Sequence, residues 1–293
     1  MISVVQLGVV EYREGLRLQQ RLVELRKSGQ IGDTLLLLEH SPVITLGRNA
    51  KTANVLASTE ALAARGVEVF ECDRGGDVTF HGPGQLVGYP IFDLREHELL
   101  SLDSDLRSDL RSHDFAGGDA SASRPSRKTP SRKTHSRKTL GAVDYVRRLE
   151  EVLIRTCGDF GIPSERVKGL TGAWTESQSK PAAKIAAIGV HISRSVTSHG
   201  FALNVNTDLS YFDFIVPCGI SAKPVTSMQR ELGHEFDLIE VAQTVARNFG
   251  SVFASQILWV DTLDALLGNS LGVPVKAPDE LRRLRGEDHL FLA

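Results

Sequence analysis

The chain has 293 residues, 41% hydrophobic and 24% charged, with a formal charge of −2. Those proportions are those of a globular protein with one large or two small domains. No apolar run approaches the roughly 18 residues of a membrane span. Met1-Ile2-Ser3-Val4-Val5-Gln6 lacks the basic-then-apolar pattern of a signal peptide. Cys72, Cys157 and Cys218 are odd in number, far apart and free of any Cys-x-x-Cys pair. Neither a disulfide framework nor a cysteine zinc site is expected, and a reducing, cytoplasmic setting follows.

The elements follow in chain order. Residues 2–8 alternate as a strand, and 11–28 place Leu16, Leu18, Leu22, Val23 and Leu25 at helical spacing. Leu35–Glu39 and Val43–Leu46 read as short strands around a Ser41-Pro42 turn. Thr59–Arg65 reads as a helix stopped by Gly66, and Val67–Glu71 as a strand. Arg74–Gln85 is a glycine-rich loop leading into a strand over Leu86–Phe92. Helices are predicted over Val143–Phe160 and Ile239–Phe253, a short strand at Ala173–Thr175, and a helical piece around Thr262–Leu267. Lys184–Ile192 and Phe201–Val205 form a hairpin joined by a polar loop.

Residues 96–139 differ in kind. Ser-Asp-Leu-Arg repeats at 104–107 and 108–111, and Ser-Arg-Lys-Thr at 126–129, 131–134 and 136–139. Between Ala120 and Thr139 there are seven basic and no acidic residues, and no hydrophobic residue lies between Ala122 and Leu140. Such a stretch cannot offset its ordering entropy, so a disordered surface insertion is expected. Without aromatic residues among the basic ones it offers bases no stacking platform, and no nucleic-acid partner is expected.

Three stretches carry candidate chemistry. Arg74-Gly75-Gly76-Asp77-Val78-Thr79-Phe80-His81 combines glycines that let backbone approach a ligand, an arginine and a histidine. It is neither a dinucleotide fingerprint nor a phosphate loop. Lys184 opens a strand of small and aliphatic residues, where desolvation would lower its pKa and suit it to general-base work. Ala186, Ala187 and Gly189 leave room beside that strand for a linear apolar group. Cys218 follows Pro217 and precedes Gly219, and a cysteine brought to a lysine is a nucleophile–base pair for acyl transfer. Each has a plainer reading as well: a solvated turn, a strand-end lysine with its head in water, a small buried thiol.

Together, Arg74–Gln85, Lys184–Val190, Ser198–Val205 and Pro217-Cys218-Gly219 resemble the lipoyl(octanoyl) transferases, a family within the lipoate and biotin protein ligase superfamily. The resemblance covers about residues 1–95 and 140–255. It departs at Asp77, where the family more often has an uncharged residue, and at Phe80, a frequent tyrosine; the 96–139 insertion looks foreign to it. The resemblance implies an α/β (α+β) fold of mixed sheets flanked by helices. It implies one catalytic domain over 1–255, interrupted by 96–139, with 256–293 as a partly helical extension. The implied activity moves an octanoyl group from octanoyl-acyl carrier protein to a lysine of lipoyl domains, in 2-oxoacid dehydrogenase complexes and the glycine cleavage H protein. Cys218 would carry the acyl thioester and Lys184 act as its base. Substrate contacts would map to Arg74, Gly75, Gly76, Asp77, Val78, Thr79, Phe80, His81, Ala187, Ile188, Gly189, Gly200, Phe201 and Ala202. Neither ATP nor a metal is expected, since a thioester is already activated, and the chain is expected to act as a cytoplasmic monomer. An ATP-dependent lipoate or biotin ligase of the same fold is the alternative.

Overall fold

A computed structural model describes residues 1–97, 139–175, 181–216, 224–263 and 265–266. An eight-stranded sheet is built from β1 (Ile2–Val10), β2 (Asp33–His40), β6 (Gln85–Ile91), β7 (Ser164–Glu165), β8 (Ala173–Thr175), β9 (Lys184–Ser193), β10 (Val196–Asn204) and β11 (Ile257–Trp259). Its order is β11-β1-β2-β6-β10-β9-β8-β7, mixing parallel and antiparallel pairs. A second sheet of three strands, β4-β3-β5, comprises β3 (Val43–Leu46), β4 (Glu68–Glu71) and β5 (Val78–His81). The helices are α1 (Tyr12–Lys27), α2 (Thr59–Ala64), α3 (Ala142–Asp159), α4 (Met228–Leu232) and α5 (Leu238–Val252). None among the described residues is long and apolar enough to cross a membrane.

The run of leucines in β2 follows from burial of both faces of the sheet, since side chains alternate across a strand. Leu35 and Leu37 enter a core with Leu149, Leu153, Val241, Val245 and Phe249 of α3 and α5. Leu36 and Leu38 enter a second core with Leu18, Leu22 and Leu25 of α1. A third, around Ile44, Val78, Phe80 and Phe212, lies under the small sheet.

Four expectations change. Val78–His81 belongs to a strand rather than to a loop, because Thr79 and Phe80 pair with Thr45 and Ile44 of β3. The hairpin loop shrinks to Arg194 and Ser195, with left-handed φ of 50° and 67°, the conformation a two-residue turn of matching twist requires. At the carboxyl end, β11 pairs with β1, and Val260, Leu263 and Leu266 are buried in the α1-side core. Residues 257–263 and 265–266 therefore belong to the same packed body, not to an extension beyond it. Glu96 and His97 likewise belong to the body. Glu96 pairs with Arg26 at 2.7 Å, His97 Nε2 meets Asp33 Oδ2 at 2.6 Å, and the Leu140 N–H donates to the His97 carbonyl at 3.1 Å. The rest of the expected insertion, through residue 138, lies outside the described residues.

Candidate active site

Between the two sheets runs a slot lined by Tyr12, Arg74, Gly76, Asp77, Thr79, His81, Val87, Tyr89, Ala187, Ile188, Gly189, His199, Gly200, Phe201 and Ala202. Strand alternation sorts the β5 candidates. Thr79 and His81 line the slot, whereas Val78 and Phe80 point into the core beneath the small sheet, where Phe80 stacks on Tyr211 at 4.6 Å. Val78 and Phe80 thus line that core and not the slot.

Gly189 and Gly200 leave room for backbone, not for ligand. A Cβ on Gly189 would lie 2.6 Å from the Gly75 carbonyl oxygen, and one on Gly200 would lie 2.1 Å from that of Gly88. The first packing seats the Arg74–Gly75 loop on β9, where the Gly75 N–H donates to the Val190 carbonyl at 3.1 Å. Arg74 serves that loop too. Its guanidinium donates to the Thr45 carbonyl (2.7 Å), Thr45 Oγ1 (2.8 Å), the Asp77 carbonyl (2.7 Å) and the Gly75 carbonyl (3.1 Å). These bonds spend most of its donors on shaping the loop. Asp77 accepts from Asn54 Nδ2 at 2.7 Å and from the Val78 N–H at 2.8 Å, tying the same loop down.

Lys184 is 9% exposed at the start of β9, its ammonium 4.8 Å from the centre of the Trp174 ring. It faces a cleft with Gly75, Gly76, Asp77, Gly169–Thr171, Ile188, Gly189 and Val190. Gly76, Asp77, Ile188 and Gly189 line both cleft and slot, so the two spaces adjoin. The Lys184 N–H donates to the Pro224 carbonyl at 2.8 Å, and its carbonyl accepts from Thr226 at 3.0 Å. Val216 donates to the Asn54 carbonyl at 2.7 Å. Cys218 lies between these anchors, in 217–223, outside the described residues.

A polar chain joins slot to lysine. Gln85 Nε2 donates to the Phe80 carbonyl (3.1 Å) and Asn204 Oδ1 (2.8 Å), so Gln85 Oε1 accepts from His81 Nδ1 at 2.7 Å. Asn204 Nδ2 donates to the Thr226 carbonyl at 2.9 Å, and Thr226 donates on to Lys184. Burial, helped by His40 and Arg74, pulls the His81 pKa down to about 3 and keeps the ring neutral. His40 is held near 4 by burial, donates from Nδ1 to the Val10 carbonyl at 2.8 Å and accepts the Tyr89 hydroxyl at 2.6 Å.

Tyr12, Tyr89, His40 and His199 were not among the sequence candidates. Tyr89 follows from alternation on β6, but Tyr12 is brought in only by the packing of α1. His199 sits one residue outside the stretch chosen in β10. The other cysteines differ from a nucleophile: burial raises the Cys157 thiol to about 12, and Cys72 Sγ lies 3.5 Å from the Leu46 carbonyl. Among the described residues no group of three or more His, Cys, Asp or Glu is placed to hold a metal ion.

Comparisons with known proteins agree with one another. The pattern of the lipoyl protein ligase A/B catalytic domain family matches residues 11–110 and 131–250, so the stretch outside the family pattern narrows from 96–139 to 111–130. An octanoyltransferase of Koribacter versatilis is 57% identical over 288 residues, 98% of each chain. One of Acidobacterium capsulatum is 52% identical over 270 residues, 91% of this chain and 96% of its own. Among solved structures, a bipartite lipoate protein ligase of Thermoplasma acidophilum shares the fold, with TM-score 0.59 at 13% identity over 97% of this chain and 90% of that one. A lipoate-protein ligase A bound with ATP does so with TM-score 0.59 at 13% identity, covering 98% and 94%. A lipoate-ligase fold, a slot between its sheets and relatives of this identity and coverage lead to one conclusion: the chain belongs to the octanoyltransferases of the lipoyl protein ligase A/B catalytic domain family.

Proposed function

We propose that this transferase takes its octanoyl group from acyl carrier protein and passes it to a lysine of a lipoyl domain through a thioester on Cys218. The observation that carries this reading is the continuity of the apolar slot with the cleft that holds Lys184, at the place where both neighbours of the Cys218 segment are anchored.

A thiol is only a few per cent ionised at pH 7, and an adjacent ammonium favours the thiolate. The thiolate attacks the donor thioester, the pantetheine sulfur leaves with a proton given up by the Lys184 ammonium, and the acyl group stays on Cys218 beside a now neutral Lys184. The acceptor lysine then attacks as a neutral amine while Lys184 takes its proton, and the thiolate is released. The two half-reactions share one site, so the kinetics are ping-pong. Because the thioester is already activated, neither ATP nor a metal enters.

Burying about six methylenes in the slot at ~0.8 kcal/mol each supplies roughly 5 kcal/mol towards the cost of association. The acceptors are lipoyl domains in general, those of 2-oxoacid dehydrogenases and the glycine cleavage H protein among them. The reaction belongs to the cytoplasm, and the basic 120–139 stretch steers the acidic donor. Deleting 104–139 should then lower kcat/KM for the carrier protein at low salt.

Intact-mass measurement after mixing with octanoyl carrier protein and no ATP tests the reading. One octanoyl group is gained by the chain and none by C218S. The absence of any adduct, or a requirement for ATP with free octanoate, returns the choice to a ligase.

A further inference from the structure

His199 stands where the slot ends and another space begins. Its ring lines the slot and also a surface cleft formed by α1 residues Leu16, Gln19, Gln20, Val23, Glu24 and Lys27 with Asp73, His191, Ser193 and Ser198. The imidazole is 5% exposed and is held from both sides. Nε2 meets Asp73 Oδ1 at 2.7 Å, and the other Asp73 oxygen pairs with His191 Nδ1. The ring meets Tyr89 edge-on with centroids 6.4 Å apart.

The backbone explains how the ring reaches this place. The β10–β6 register that pairs Phe201 with Gly88 and bridges Val196 to Asp93 brings His199 opposite Pro90, which has no N–H to give. His199 there adopts a left-handed φ of 55°, and its own N–H turns to Gln19 Oε1 at 2.7 Å. A non-glycine residue in that region is held by its surroundings, here by Gln19 and Asp73.

Its position relative to the reaction is set by the hairpin. His199 pairs with Val190 on β9, six residues and about 20 Å along the strand from Lys184. The slot therefore has a reacting end towards Lys184 and a far end closed by His199. Beyond that ring the α1 cleft offers Leu16 and Val23 as apolar surface.

The geometry points to His199 as the residue that limits acyl length, a partition pinned by Asp73 and Gln19 that stops the chain from running on into the α1 cleft. This rests on the acyl-transfer reading above and adds to it the residue that sets substrate length. Removing the ring joins slot and cleft, and longer chains gain the apolar surface of α1. A ring of similar size without the Asp73 hydrogen bond, as in H199F, still fills the gap but is held less firmly.

The test is the kcat/KM profile across hexanoyl, octanoyl, decanoyl, dodecanoyl and tetradecanoyl carrier proteins. In H199A the dodecanoyl-to-octanoyl ratio rises about tenfold or more, the range that pocket contacts of this kind discriminate. H199F keeps a ring but loses the Asp73 bond, so it shifts the ratio no further than D73A does and well short of H199A, a ranking that a uniform loss of activity would not produce. D73A, altered at an exposed carboxylate, frees the ring and shifts the ratio the same way by less; it carries the test alone if H199A does not fold. An unchanged ratio in both H199A and D73A overturns the inference while the wild-type thioester still forms. Failure of the wild-type chain to take any acyl group strikes the underlying reading instead.

Discussion

His40 and His81 each donate from Nδ1 into a fixed acceptor, and burial holds them neutral with pKa values near 4 and 3. In the unfolded chain both return to about 6.5. Above pH 6.5 both states are neutral and the pair is indifferent to pH. As pH falls below 6.5 the unfolded chain takes up protons that the folded chain refuses, so stability drops through the window from 6.5 towards 4. The slope is about 1.4 kcal/mol per pH unit for each histidine. Urea unfolding at several pH values should show it, and H40Q, which cannot titrate, should lose about one histidine's share of the slope; an equal slope in H40Q removes His40 from the account. Gln85 holds the same place together by a different means. It is 1% exposed, accepts from His81 and donates to Phe80 and Asn204. Q85L keeps the bulk but orphans these buried groups, and a loss of roughly 3 kcal/mol in unfolding free energy is expected. A loss under about 0.5 kcal/mol would mean that water replaces the amide.

At the scale of elements, the slot exists because a loop lies directly on a strand. Gly189 of β9 supplies the clearance, with the Gly75 carbonyl where a methyl would go. G189A must push the Arg74–Asp77 loop outwards, and overpacking of this sort costs about 1–3 kcal/mol. The same loop forms the wall shared by slot and Lys184 cleft, so octanoyl transfer should fall by about 100-fold, mainly in kcat. Steady-state kinetics beside a urea melt separate the two effects; full activity in a destabilised G189A would show that the loop does not position substrate. This is also where reading from sequence reached its limit. The glycines were visible, and so was the strand beside Lys184. Whether each glycine cleared space for acyl chain or for backbone was not, because that depends on which loop the fold lays across β9. Thr79 and His81 part from Val78 and Phe80 for a similar reason: alternation sorts them only once β5 is known to be a strand, and its pairing partner β3 lies over thirty residues away. Tyr12 reaches the slot from the first turn of α1, a contact that no local pattern announces.

For the whole molecule, the carboxyl-terminal stretch decides how the large sheet ends. Repeats and charge set 96–139 apart in composition, but nothing local marks Ile257–Trp259 as a strand, since its three residues acquire their role from pairing with Ile2, Ser3 and Val4. Once paired, β11 covers an edge that would otherwise present unpaired backbone groups of β1. The turn that follows buries Val260, Leu263 and Leu266 against Leu18, Leu22 and Leu25 of α1. Three aliphatic side chains at about 1.5–3 kcal/mol each are worth roughly 5–9 kcal/mol, a large share of a domain's net stability of about 5–15 kcal/mol. A chain ending at Ser255 should therefore unfold at much lower urea, or associate through the bared β1 edge. The triple substitution V260S/L263S/L266S keeps β11 and isolates the packing, and it should lose most of the same stability without gaining self-association. Urea unfolding and sedimentation of both variants check this. A shortened chain as stable as the full one and no more associated would place this stretch outside the cooperative unit and return the domain boundary to residue 255.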